Sequence, residues 1–295
     1  MNLKRYQKPI VIFLVIYTCF TIPFFALSIS VDEPRFSTIL PFDSMMMQIG
    51  CIFLLIPITG IIGALLTGYI LAPIFLLIYK KTIGFKMEFG IQDREKPPKF
   101  NNLWRGIFPS FLAINLALLI GTTEFGRNYI VSPEYLVGGM GSKIWQMVAF
   151  AALIPFITGV ATAIFSPVWF LLDSGIVFSN KKKVLNKVEP IEVRSIGGWY
   201  NYLLKGYAGI GVIIAYILFL GDMLVEFENP FDGGFISTAI LLPIMPVAIT
   251  LLLIPSMILM DYTLESRRKY IRTFAKKYLK IDGPLEHPLD LHVIN

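Results

Sequence analysis

The chain has 295 residues, 55% of them hydrophobic and 16% charged, with a mean hydropathy of +0.67. Soluble domains average about 25% charged residues, so this composition excludes an ordinary soluble enzyme and specifies an all-α integral membrane protein. The net charge of +6 does not imply nucleic acid as a partner, because the basic residues cluster at the ends of apolar runs, where membrane topology explains them.

Six apolar runs follow one another and predict six transmembrane helices, since each is long enough for a spanning helix of about 20 residues. The first covers residues 9–30, behind Lys4, Arg5 and Lys8. Ala26 and Ser28 resemble a signal-peptide cleavage site, but the run exceeds the usual 7–15 apolar residues, so a retained helix is expected. The others cover 44–79, 106–123, 144–172, 206–225 and 233–260. Cys19 and Cys51 lie in apolar runs with no metal-like spacing and read as packing residues.

Charge orients the spans. Every Lys and Arg except Arg35, Arg127 and Lys143 falls before the first span, between the second and third, between the fourth and fifth, or after the sixth. The positive-inside rule then places both termini in the cytoplasm, as expected of a multi-pass protein of the cell (plasma) membrane. Loops 31–43 and 226–232 are expected outside. Trp104, Trp145, Trp169 and Trp199 stand near span ends, where amphipathic rings favour the headgroup layer.

Residues 153–173 return, blurred, at 241–261: Pro155 falls on Pro243, Pro167 on Pro255 and Asp173 on Asp261. Leu3 and Arg5, Leu103 and Arg105, and Leu203 and Lys205 precede the odd-numbered spans at a constant spacing. Together these suggest three pseudo-repeated helical hairpins, approximately 1–98, 99–190 and 195–260, each burying its inner face on the others. Residues 1–260 then form the membrane domain, and 261–295 a cytoplasmic amphipathic helix and tail.

The even-numbered runs overreach about 30 Å of hydrocarbon at 1.5 Å per residue, so they must tilt or kink. Pro73, Pro155, Pro167, Pro243 and Pro255 are candidate hinge or packing positions, because proline removes a backbone donor and clashes with the preceding turn. Gly60, Gly68 and Gly159 belong to small-residue stripes four apart, where a second helix can approach closely. The polar side chains able to line a cavity near mid-depth are Asn115, Thr158, Thr162, Ser166 and Thr250. No Lys, Arg, Asp, Glu or His lies mid-span, which disfavours an ion-driven pump. Asp173 and Asp261 are candidate cytoplasmic gate or contact residues; the bland alternatives are a turn at Asp173 and a helix cap at Asp261.

Between the spans, Phe85, Met87 and Phe89 alternate, as a strand or partner-docking arm would, although a solvated loop is the simpler reading. The tail after Met260 puts Leu264, Ile271, Phe274, Tyr278 and Leu279 broadly on one side and seven basic residues on the other. That pattern suits an interfacial helix on an anionic membrane surface. Met45, Met46 and Met47, and the tail histidines His287 and His292, are too isolated for a metal site. HExxH, GxSxG and P-loop patterns are absent from the sequence. No catalytic residue, metal or cofactor is expected. Two functions stay open: a structural or partner-binding subunit or anchor of a membrane assembly, in contact with membrane lipids including anionic ones and with protein partners, and a permease or channel for a neutral or apolar solute.

Overall fold

A computed structural model describes residues 5–30, 45–92, 105–123, 140–180, 192–226, 233–285 and 292–294. The expected outer loops at 31–43 and 226–232 lie almost wholly outside the described residues, as do the side chains of Met45, Met46 and Met47 and all of His287.

The chain is mostly helical. In order it forms α1 (Gln7–Ser30), α2 (Met45–Ile61), a π-helical turn (Ile62–Leu66), α3 (Thr67–Ile83), β1 (Met87–Ile91), α4 (Ile107–Thr122) and α5 (Met140–Ser174). It continues with β2 (Ile176–Asn180), β3 (Glu192–Ser195), α6 (Ile196–Glu226), α7 (Gly233–Leu252), α8 (Ile254–Tyr262), α9 (Leu264–Leu279) and β4 (His292–Ile294). Among the described residues, three helical stretches are long and apolar enough to cross a membrane: Leu54–Ile83, Leu153–Ser174 and Ile196–Gly221. A fourth is the pair Pro243–Leu252 and Ile254–Tyr262, bent by 42°. Pro255 stands just past this bend, where the ring and the missing donor disrupt the preceding turn. The helix of α5, by contrast, runs unbroken through Pro155 and Pro167.

The chain divides into two compact units, each assembled from three separate segments. Unit 1 takes Met1–Ile61, Asn102–Ala161 and Tyr207–Ile258; unit 2 takes Ile62–Asn101, Thr162–Gly206 and Leu259–Asn295. The last of these boundaries, 258/259, falls beside the one expected near residue 260, and unit 2 also takes two earlier segments.

Unit 1 is a helix assembly in which α1 packs on α2, α4 on α7, and both α1 and α2 on α7. Its core gathers Ile56, Ile114, Val212, Ile249, Leu252 and Leu253. Small residues set the approach distances: a Cβ on Gly60 would strike the Leu253 side chain, and one on Gly159 would lie 3.2 Å from Thr59 Cβ. Interhelical bonds cross this apolar interior from Asn115 Nδ2 to the Gly211 carbonyl at 2.6 Å and from Thr250 Oγ1 to Ser110 Oγ at 2.9 Å.

Unit 2 is a mixed assembly. Its four-stranded sheet has the order β1-β2-β3-β4, with β1–β2 and β2–β3 antiparallel and β3–β4 parallel. The segment weighed as a solvated loop is therefore β1, with Met87 opposite Asn180 and Ile91 opposite Ile176. The reason is pairing: Phe89 meets Phe178 at 6.1 Å between ring centroids, a cross-strand aromatic pair. Helix α9 packs on α3. Its stripe of Leu264, Arg267, Ile271 and Ala275 is buried, so of the five apolar residues expected at the membrane surface Leu264 and Ile271 pack on protein, whereas Tyr278 stays exposed. A 16-residue helix is marginal alone. Burying Leu264 and Ile271 contributes roughly 3–6 kcal/mol together, enough to hold it in place.

Candidate functional site

The residues with the most polar chemistry in unit 2 converge where α9 crosses the end of α5. Helix α5 stops at Ser174, and Gly175 turns the chain with φ +74°, a conformation that costs glycine little. The Ser174 hydroxyl donates to the Leu171 carbonyl at 2.6 Å and accepts the Ile176 N–H at 3.2 Å. The last carbonyls of α5 would otherwise be orphaned at a helix terminus. They are taken by arginines of α9: Arg268 Nε donates to the Asp173 carbonyl at 3.1 Å, and Arg272 Nε to the Ser174 carbonyl at 2.7 Å. Arg272 Nη2 also reaches the Gln92 carbonyl at 3.3 Å, beyond the end of β1. Cationic groups at this position also complement the negative end of the α5 dipole.

At the centre is Arg267, whose side chain is fully buried. Its Nη1 donates to Asp173 Oδ2 at 3.1 Å, its Nε to Thr263 Oγ1 at 3.3 Å and its Nη2 to the Met260 carbonyl. The guanidinium carbon stands 4.7 Å from the centroid of the Phe170 ring, a cation–π contact that is strengthened by desolvation. Around it, Tyr69 meets Phe170 and Tyr270 edge to face, at 5.1 and 5.2 Å. The Tyr270 hydroxyl donates to the Tyr69 carbonyl at 3.2 Å. Breaking such a buried pair by removing one partner strands a charge and costs about 3–5 kcal/mol. The pair therefore fixes where α9 sits.

The expected contact residues separate in this geometry. Asp173 has Arg267 as a partner. Asp261 is also buried and lies inside α8, two residues before Thr263, the N-cap residue of α9. Thr263 makes no cap either, because its hydroxyl donates back to the Leu259 carbonyl at 2.7 Å.

The five polar side chains expected near a cavity fall into different units. In unit 1, Thr158 donates to the Ile154 carbonyl at 2.8 Å. Thr250 donates to the Pro246 carbonyl at 2.6 Å and stands 2.9 Å from Ser110 Oγ. Asn115 binds Gly211 through its amide nitrogen, while its buried Oδ1 has no hydrogen-bond partner among the described residues. In unit 2, Ser166 Oγ stands 2.9 Å from both the Ala163 carbonyl and Thr67 Oγ1. Thr162 is fully buried. Of the candidate hinge residues, Pro73, Pro155 and Pro167 are buried, Pro243 is exposed and Pro255 intermediate. Gly68 admits the Phe170 ring so closely that a Cβ there would strike it.

Sequence reasoning missed Arg267 and treated it as one of seven tail cations. The available signal was its register: it falls on the Leu264–Ile271–Ala275 stripe, where a helix otherwise carries apolar residues. Outside this buried centre, Ile91, Glu265, Arg268, Lys269, Arg272, Thr273 and Lys276 line an open depression of about 340 Å³. Among the described residues, no group of three or more His, Cys, Asp or Glu could hold a metal ion. Comparison with protein-family models, curated proteins and solved structures gives no match to this chain.

Proposed function

We propose that this chain is a non-enzymatic subunit or anchor of a membrane assembly. In this reading it crosses the cell membrane six times as three related hairpins, with both termini cytoplasmic, and presents unit 2 to protein partners and anionic lipids on that side. The observation that carries the reading is how the mid-depth polar groups are used. The hydroxyls of Thr158, Ser166 and Thr250 bond to carbonyls within their own helices, a pattern that satisfies them without water or solute. Unit 2, in contrast, is held by a buried ion pair and a sheet, and a rigid body of this kind is suited to docking.

One observation favours the second reading, a permease or channel for a neutral or apolar solute: the unpartnered Oδ1 of Asn115. A buried acceptor of this kind costs about 1–3 kcal/mol unless something binds it. Cysteine accessibility separates the two. With Cys19 and Cys51 replaced by alanine, single cysteines are placed at positions 115, 158 and 250 and exposed to a small hydrophilic thiol reagent in intact membranes. An anchor leaves all three unmodified. Modification at two or more, at rates comparable to a loop cysteine, would establish a hydrated path and overturn the anchor reading.

A further inference from the structure

We infer that the depression on α9 is a binding site for a phosphate-bearing anion with at least two negative charges, presented by a lipid headgroup or by a soluble ligand. The inference sharpens the anionic-lipid half of the proposed function, and its failure would leave the partner-binding half standing. Three observations carry it.

The first is charge. Among the described residues, Arg268, Lys269, Arg272 and Lys276 line the depression with one carboxylate, Glu265, and Asp282 contacts Lys276 from outside the lining. Glu265 is 66% exposed and lies 3.6 Å from Arg268 Nη1, so in water it offsets little of the cationic field.

The second is rigidity. The Arg268 side chain is 14% exposed and Arg272 is partly buried; both are pinned through Nε to the terminal carbonyls of α5, and Arg272 also through Nη2 to the Gln92 carbonyl. Their planar forks are thus held in place before a ligand arrives, which lowers the ordering cost of binding. Lys269 and Lys276 supply mobile point charges at the rim; the contact of Lys276 with Asp282, 3.1 Å between two well-exposed groups, is weak enough to exchange for a phosphate.

The third is size and place. About 340 Å³ falls at the lower end of the roughly 300–1,000 Å³ typical of small-molecule sites, room for a phosphorylated headgroup but not for a folded segment. Only Thr263 separates α9 from Tyr262, the end of the bent helix pair that could cross the membrane. The site therefore begins within a few residues of a span end, within reach of headgroups.

The test uses the full chain in a zwitterionic detergent, titrated calorimetrically with inorganic pyrophosphate and with dioctanoyl phosphatidylinositol 4-phosphate. Dioctanoyl phosphatidylcholine is the blank. Lys269→Ala/Lys276→Ala should lower the affinity roughly thirtyfold, at about 1 kcal/mol per basic residue. Lys277→Ala/Lys280→Ala removes the same charge outside the depression and should leave affinity within about threefold. Circular dichroism establishes that both variants are folded. If the first double variant cannot be purified, Lys269→Glu at an exposed position should give the same ranking. Binding of the lipid alone assigns a membrane headgroup; binding of pyrophosphate as well assigns a soluble ligand. Equal losses in the two double variants would show diffuse attraction rather than a site. That result, or binding of neither anionic probe above the blank at millimolar concentration, would overturn the inference.

Discussion

Replacing Asp173 by alanine removes a carboxylate held against a fully buried guanidinium, and the size of the effect follows from the geometry. Nη1 of Arg267 and Oδ2 of Asp173 are 3.1 Å apart, with side-chain exposures of 0% and 10%. At an effective dielectric of about 20, unit charges at that distance attract by roughly 5 kcal/mol. Removing one partner of a buried pair typically costs about 3–5 kcal/mol. The lower end applies here, because Arg267 keeps Thr263, the Met260 carbonyl and the Phe170 ring. Hydrogen-exchange mass spectrometry on α9 peptides reads this directly, and a loss of about 3 kcal/mol against local opening accelerates exchange roughly a hundredfold. The double variant Asp173→Ala/Arg267→Met removes the stranded charge and should restore at least half of the lost protection, on a logarithmic scale, because apolar replacement of a whole buried pair is often nearly neutral. Less than about a fivefold acceleration in the single variant, or a double variant less protected than the single, would refute the role given to the pair.

Three further outcomes are expected. Gly175→Ala forces a side chain into a left-handed φ and against the Gln92 carbonyl oxygen; a cost above about 2 kcal/mol should appear as faster exchange in both β1 and β2, and unchanged exchange would disprove it. Lys280 ends α9 with φ 53° and its N–H on the Ala275 carbonyl, so Lys280→Gly should stabilise unit 2 by about 1 kcal/mol, measured as slower exchange at the end of α9. Single cysteines at positions 37 and 182 should label from opposite sides of the membrane, and labelling of both from outside would remove the charge argument for topology.

The helices were legible because apolar run length is a local property. The expected spans at 9–30, 106–123 and 233–260 meet helices at Gln7–Ser30, Ile107–Thr122 and Gly233–Leu252 with Ile254–Tyr262. The π turn at Ile62–Leu66 was not legible: nothing in IGALL distinguishes it from an ordinary turn, and Gly63 and Ala64 are simply buried there. The sheet was legible only at β1, through Phe85, Met87 and Phe89. Strands β2 and β3 have five and four residues, too short for a period to emerge, and their register depends on partners distant in sequence. The same distance hid the candidate site. Asp173 stood out as a contact residue, but its counterpart lies 94 positions away, where a run of lysines and arginines conceals the single buried one.

That separation also sets an order in time. When Asp173 leaves the ribosome, the residue that neutralises it does not yet exist; at about 5–20 residues per second, Arg267 follows some 5–20 s later. During that interval the end of α5 has neither the guanidinium of Arg267 on its carboxylate nor Arg268 and Arg272 on its last carbonyls. The same delay separates β2, synthesised early, from the helix that locks its turn. A chain interrupted before α9 would thus lack the three arginine contacts to this helix end and keep only local ones such as Ser174 to the Leu171 carbonyl. Arrival of α9 supplies the guanidinium and takes up the last carbonyls of α5 together, because all three arginines lie within six residues of one helix.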